Sequence, residues 1–349
     1  MKQTAVVIID TGFSADSLKT AGQIVAVMDL SSGFSAIGEP FLNNDELDRF
    51  CGDPLNHGSL VLKVLMEIRP ETPVVLIRAY SDQVRLIRTG FSGGEISSFG
   101  WTDAYLWAVN LLNERGYNSV TNCSFGAYTH AMDGTGWEAH SLRRAIGAGK
   151  PGHIVVAGAG SGNGKPIHAS CSLQEAGHSS AIRATQETDA TYNFWAESDN
   201  HWKLEVFLNG ALVQVHDSKF IPVNFWNDKR QSTFTVYGKG EVVFLVSTVS
   251  GGNRFDCWIN HQDSAQFESH SDPFLIAEPA VFPEVVAVGL QEGKYASNQS
   301  EPDAKPEVLL DGSGPVSFRL PEVVATVADW LDQDDQLDSE AVKARLLSR

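Results

Sequence analysis

Residues 4–12 read Thr4-Ala5-Val6-Val7-Ile8-Ile9-Asp10-Thr11-Gly12. The apolar run does not alternate, so it predicts a strand buried on both faces, as parallel sheets require. It ends on a carboxylate followed by Thr-Gly, and in open α/β sheets sites form at the carboxyl ends of strands. Outward from this segment, short apolar runs at residues 24–28, 73–77, 119–124 and 153–157 predict further strands. Helical periodicity separates them. Residues 57–68 place Val61, Val64, Leu65 and Ile68 on one face, residues 102–115 start at a Thr102 cap and stop at Gly116, and a short helix covers 141–146. Strands alternating with helices imply an α/β fold, with a parallel sheet covered by helices on both faces.

The pattern changes from about residue 181 to residue 274. Residues 191–195, 202–208, 211–216, 233–237, 241–249 and 255–259 alternate as strands. Turn signals separate several of them, at Asn209-Gly210, Lys239-Gly240 and Gly251-Gly252-Asn253. Trp195, Trp202, Phe225, Trp226 and Trp258 fall in this stretch and are expected to form the core of an inserted all-β sandwich. The α/β pattern resumes at 285–289, and helices are expected at 317–331 and 339–347 on either side of an acidic turn. The expected division is therefore 1–180, an insert at 181–274, and 275–349.

Composition narrows the function. Hydrophobic residues make up 42% of the 349, enough for a packed core. The formal net charge of −17 repels phosphate backbones and anionic lipid, so no nucleic acid and no membrane are expected as partners. Met1-Lys2 runs straight into the first strand, so no secretory leader is read, and no apolar run is long enough to span a bilayer. The four cysteines lack metal-ligand spacing and are read as reduced thiols in a cytoplasmic protein, with no metal and no cofactor.

Three residues combine into a chemistry that none of them carries alone. Asp10 ends a strand, His57 begins a helix in Asn56-His57-Gly58-Ser59, and Ser317 begins another in Gly314-Pro315-Val316-Ser317. Separately they read as a turn aspartate, a polar helix start and a serine cap. Together they supply a hydroxyl nucleophile, a base and an orienting carboxylate.

Their contexts resemble the subtilisin-like serine peptidases, the subtilases. Val7-Ile8-Ile9-Asp10-Thr11-Gly12 and Asn56-His57-Gly58-Ser59-Leu60-Val61 are similar to that family's Asp and His motifs, and the order Asp, His, Ser is subtilisin's. Val120-Thr121-Asn122-Cys123-Ser124-Phe125-Gly126, Val285-Val286-Ala287-Val288-Gly289 and Lys305-Pro306-Glu307-Val308 resemble three further segments in the same order. Gly251-Gly252-Asn253-Arg254-Phe255-Asp256-Cys257-Trp258-Ile259 is similar to a strand of the jelly-roll insert in the Csp-like branch. The resemblance implies a serine endopeptidase with Asp10, His57 and Ser317 as its triad. It implies an extended peptide or protein substrate lying along Ser124, Phe125 and Gly126. The insert is a possible seat for a partner protein.

The resemblance also implies an amide donor for the oxyanion, in Ala157-Gly158-Ala159-Gly160-Ser161-Gly162-Asn163-Gly164. A strict count puts Ser161 at that position; a two-residue insertion puts Asn163 there, with His168-Ala169-Ser170 following. Asn163 is preferred because its side chain carries the amide. Pro315 and Val316 stand where the family has Gly and Thr before the nucleophile, while Pro321 keeps its place. The family often carries a folding prodomain; this chain starts at the Asp10 strand and is expected to fold unaided. The rival reading is a subtilase fold that binds peptides or a partner protein without turnover. A dinucleotide fingerprint fails on spacing, because residues 163 and 165 are Asn and Lys rather than Gly.

Overall fold

The first strand, β1 (Thr4–Asp10), is buried along its whole length. Val6 and Ile8 enter one apolar core and Ala5, Val7 and Ile9 another, so the strand has no solvent face. This is why its sequence is a continuous apolar run. The computed structural model describes residues 2–39, 41–79, 100–128, 132–160, 166–198, 200–260, 264–269, 275–291, 305–312 and 314–348.

After β1 come α1 (Ala15–Leu18), β2 (Gln23–Asp29), β3 (Phe34–Ile37), α2 (Asn44–Phe50), α3 (His57–Ile68) and β4 (Pro73–Arg78). There follow α4 (Trp101–Glu114), β5 (Asn118–Cys123), α5 (Trp137–Leu142) and β6 (His153–Gly158). Nine antiparallel strands come next: β7 (His168–Leu173), β8 (Ser179–Gln186), β9 (Ala190–Ala196), β10 (Trp202–Leu208), β11 (Ala211–Asp217), β12 (Arg230–Val236), β13 (Gly240–Thr248), β14 (Asn253–Ile259) and β15 (Ala265–Phe267). The chain closes with β16 (Val286–Leu290), β17 (Val308–Leu310), α6 (Leu320–Gln333) and α7 (Ser339–Leu347).

The main sheet has eight strands in the order β17-β16-β6-β5-β1-β4-β2-β3, parallel except for the edge strand β3. From β1 the chain first lays down β2 and the edge strand β3 on one side, returns with β4 between β2 and β1, and then passes to the other side through β5 and β6. That reversal puts a crevice at the carboxyl end of β1. Helices α3 and α6 cover the face carrying Val6 and Ile8; α4 and α5 cover the other.

Two helices differ in detail from the sequence expectation. On α3 the buried stripe is Val61, Leu62, Leu65 and Met66, while Ile68 is 44% exposed. The stripe is rotated toward Leu62 and Met66, which enter the core shared with β1 and α6, and Ile68 stands at the last, outward turn. Helix α4 begins at Trp101 and is capped at Gly100, whose N–H donates to the Asp103 carboxylate at 3.3 Å. Thr102 lies inside the first turn and is buried, so it is not the cap. The last long helix starts at Leu320, and Ser317 sits before it in a 3₁₀ turn, Val316–Phe318.

The remaining strands make a five-stranded sheet, β11-β10-β13-β8-β15, and a four-stranded sheet, β12-β9-β14-β7. They share one apolar core, in which Phe194 lies 5.4 Å from Trp202 and 5.6 Å from Phe255, and Tyr192 lies 4.7 Å from Phe244. Asn209 and Gly210 both take positive φ, 51° and 78°, as the tight β10–β11 turn requires. Trp195, Trp202 and Trp258 are buried, but Phe225 is 85% and Trp226 39% exposed. These two belong to the connection between β11 and β12, and Trp226 stacks on His140 of α5 at 4.1 Å instead of entering the core. The polar strands β7 and β8 escape periodicity reading because Ser, Thr, Arg and Gln fill much of their length.

One buried histidine makes stability depend on pH. His153, at the start of β6, holds Ser119 Oγ at 2.8 Å through Nδ1 and Asn113 Oδ1 at 2.9 Å through Nε2. Burial, aided by the charge of Lys2, lowers its pKa from 6.5 to about 4. On acidification the unfolded chain takes the proton first. The stabilisation is therefore complete above about pH 6.5 and is lost as pH falls toward 4, on the order of 3 kcal/mol at most. Urea unfolding of the wild type and of His153→Gln at pH 7.5 and 4.5 should show the variant losing less stability on acidification. Equal losses would dismiss the role assigned to His153.

Candidate active site

Because β1, β5 and β6 are parallel and adjacent, their carboxyl ends share one edge. Asp10 is the last residue of β1, and in register it lies one step beyond the Ile9–Cys123 pair, level with Ser124. By strand alternation its side chain points to the face covered by α3. His57 is the first residue of α3, and its Nδ1 lies 2.6 Å from Asp10 Oδ1. The same oxygen accepts the Thr11 N–H at 2.7 Å, while the buried Oδ2 has no hydrogen-bond partner among the described residues.

Glycine makes this approach possible. A Cβ on Gly58 would lie 2.4 Å from the Gly12 carbonyl oxygen and 2.9 Å from Asp10 Cβ. Gly12 has φ +145°, and a Cβ there would lie 2.1 Å from the Gly52 carbonyl. A side chain at Gly58 would push the His57 helix away from the Asp10 strand, and one at Gly12 would push the Gly52-Asp53 loop away from it.

Ser317 reaches the same edge from the 3₁₀ turn that precedes α6. Its hydroxyl donates to the Ser124 carbonyl at 3.3 Å, and the Ser124 hydroxyl donates to the Ser317 carbonyl at 3.1 Å. Asn122 Nδ2 donates to Ser124 Oγ at 2.8 Å, anchoring the pair to β5. The Phe318 ring stands 5.3 Å from the His57 ring. Asp10 and His57 are thus joined directly, and Ser317 is joined to Ser124.

The segment read as a substrate strand is graded in exposure: Ser124 buried, Phe125 half-buried and Gly126 exposed. Beyond it, Ala127 exchanges two backbone hydrogen bonds of 3.1 Å with Glu278. The Glu278 carboxyl is buried, and burial followed by the charge of Glu138 pushes it well above the usual carboxylate range. Strand β6 leads through Ala159 and Gly160 toward residues 161 and 163. Asn163 and Ser161, the two oxyanion candidates, lie outside the described residues. Among the described residues, no cluster of three or more His, Cys, Asp or Glu could hold a metal, and no helix is long and apolar enough to cross a membrane. All four cysteines are free.

No protein-family model matches the chain, and no curated protein matches its sequence. Among solved structures, the Clostridium perfringens CspB protease superposes with a TM-score of 0.72, over 98% of this chain and 86% of that one, at 14% identity. The fold is subtilisin-like. A cold-adapted subtilisin-like serine proteinase aligns more loosely, with a TM-score of 0.45 and 12% identity, over 100% of this chain and 82% of that one.

Within the subtilisin-like fold, Lys305-Pro306-Glu307-Val308 has a structural place. Lys305 is buried at the amino end of the strands, opposite Asp10, with Nζ donating to the Val285 carbonyl at 2.6 Å and lying 3.2 Å from Glu307 Oε1. Burial lowers its pKa to about 8. Motif reading missed Asp53, whose carboxyl accepts from Thr11 Oγ1 at 2.8 Å and from Ser59 N and Oγ at 2.8 and 2.6 Å. Its place four residues before His57, in a turn leading into a helix, was the available signal.

Proposed function

We propose that this chain is a serine endopeptidase in which Asp10 orients His57, His57 takes the Ser317 proton, and Ser317 Oγ attacks the scissile carbonyl. The observation that carries this reading is the 2.6 Å contact between His57 Nδ1 and Asp10 Oδ1, at the sheet edge where Ser317 meets Ser124. A neutral imidazole donating from Nδ1 to that carboxylate carries its lone pair on Nε2, the atom assigned as the base. For this step Ser317 Oγ has to leave the Ser124 carbonyl and turn to His57. The oxyanion is assigned to the Ser317 N–H and the Asn163 side chain, and the peptide to the backbone along Ser124, Phe125 and Gly126.

The finer readings belong with this proposal. The two antiparallel sheets, from β7 (His168–Leu173) to β15 (Ala265–Phe267), are read as an inserted jelly-roll-like sandwich, whose first strands precede the boundary expected at residue 181. It is a seat for a partner protein, and the four free thiols accord with a cytoplasmic setting. The test is labelling of Ser317 by a fluorophosphonate, located by peptide mapping, together with hydrolysis of unstructured proteins. Asn163→Ala should slow acylation by about a hundredfold or more with little change in substrate binding, read as kcat against KM. An unchanged kcat would remove Asn163 from the oxyanion site. The second reading, a peptide-binding protein without turnover, draws on the engagement of Ser317 Oγ by Ser124 and on Pro315-Val316 before the nucleophile. Peptide binding with neither labelling nor cleavage would favour it.

A further inference from the structure

The Asp10–His57 contact joins residues carried by two separate elements, a strand end and a helix start. Its 2.6 Å length therefore depends on what holds β1 to α3 at that point. The chain supplies one tie. Thr11 Oγ1 accepts the Gly58 N–H at 3.2 Å and donates to Asp53 Oδ1 at 2.8 Å. Asp53 Oδ2 accepts from Ser59 N at 2.8 Å and from Ser59 Oγ at 2.6 Å, and Ser59 Oγ accepts the Ser14 N–H at 2.8 Å. One carboxyl thus links the residue after Asp10 to the second residue after His57. The loop carrying Asp53 is pinned in turn by the Phe13–Gly52 backbone pair, at 3.0 and 2.8 Å.

We infer that Asp53 and Thr11 are positioning residues that set the Asp10–His57 geometry through this shared carboxyl. The inference rests on the peptidase reading for its kinetic consequence. Neither residue belongs to the proposed triad or oxyanion donors; both act through Asp10 and His57. Helix capping explains half of the arrangement. Asn56, at the start of α3, makes no side-chain capping bond and takes φ 54°, so Asp53 caps Ser59 in its stead. Capping needs only the Asp53–Ser59 contacts, however. It gives no reason for Thr11, the residue that follows β1, to donate to the same carboxyl and to accept from Gly58.

That division sets the experiment. Thr11→Val keeps the side-chain shape and leaves the Asp53–Ser59 cap in place, but removes both Thr11 hydroxyl bonds, to Asp53 and to Gly58. Two quantities are read: kcat and KM per active site titrated with fluorophosphonate, and the low-field proton resonance of His57 Nδ1–H. Thr11→Val should lower kcat by about tenfold or more with KM little changed, because small displacements of catalytic groups are costly. It should also shift or broaden the resonance while the melting temperature stays close to wild type. Thr11→Ser restores the hydroxyl and should recover both readouts. Asp53→Ala should lower kcat, disturb the resonance and also lower the melting temperature, since it removes the cap. Wild-type kcat with an unchanged resonance in Thr11→Val would overturn the inference. If the wild type shows no turnover that depends on Ser317, the peptidase reading falls. The resonance then decides alone: its loss in Thr11→Val upholds the tie, and its persistence overturns it.

Discussion

Ser317→Ala should reduce peptide hydrolysis by about four orders of magnitude or more, with the fold intact. The alanine lacks the atom that would form the acyl bond. Whatever rate remains comes from substrate positioning and the oxyanion donors acting on water. The structural cost is small. Ser317 is half-buried in a 3₁₀ turn, and among the described residues its hydroxyl makes one neutral hydrogen bond, to the Ser124 carbonyl. Losing that bond costs about 1 kcal/mol. The check is a steady-state assay on an unstructured protein substrate, run on both forms purified identically, with circular dichroism to confirm the fold. Equal rates would assign the cleavage to a contaminant. A tenfold loss alone would mean that Ser317 assists and another group attacks.

Asp10→Asn should lower kcat by about ten-thousandfold, for a reason specific to this site. Asp10 Oδ1 accepts from both His57 Nδ1 and the Thr11 N–H, while Oδ2 is buried without a partner among the described residues. An asparagine can therefore be placed in two ways. With its carbonyl at Oδ1 it keeps both bonds but buries an amide N–H₂ with no acceptor, which costs roughly 1–3 kcal/mol. Flipped, it offers an N–H to His57 Nδ1, forcing the proton onto Nε2 and removing the base. In both placements the charge that would stabilise the imidazolium is gone. The readouts are kcat, KM and the His57 Nδ1 proton resonance. A loss of kcat below about tenfold would show that His57 does not rely on Asp10.

The parallel sheet, its strand order along the chain and the positions of Asp10 and His57 were legible in sequence because strands buried on both faces need uninterrupted apolar runs. The run Val6-Val7-Ile8-Ile9 before Asp10 is nearly free of ambiguity. Glycines at Gly12 and Gly58 were equally informative, since close backbone approach leaves no room for any other residue. The antiparallel stretch announced itself through period-two alternation and the Asn209-Gly210 turn.

Contacts between segments distant in sequence were decided by the tertiary structure alone. Periodicity marks an apolar face but not which neighbour covers it. Hence α3 buries Leu62 and Met66 and leaves Ile68 exposed, and Trp226 lies on His140 instead of inside the sandwich. The partners of Ser317 and the tie through Thr11, Asp53 and Ser59 belong to the same class. A hydroxyl or carboxyl can bond to whatever polar group the fold brings within about 3 Å, and sequence spacing carries no record of that proximity. The residue types of the site are therefore written in the chain, while the hydrogen bonds that orient them exist only once strand and helix have been brought together.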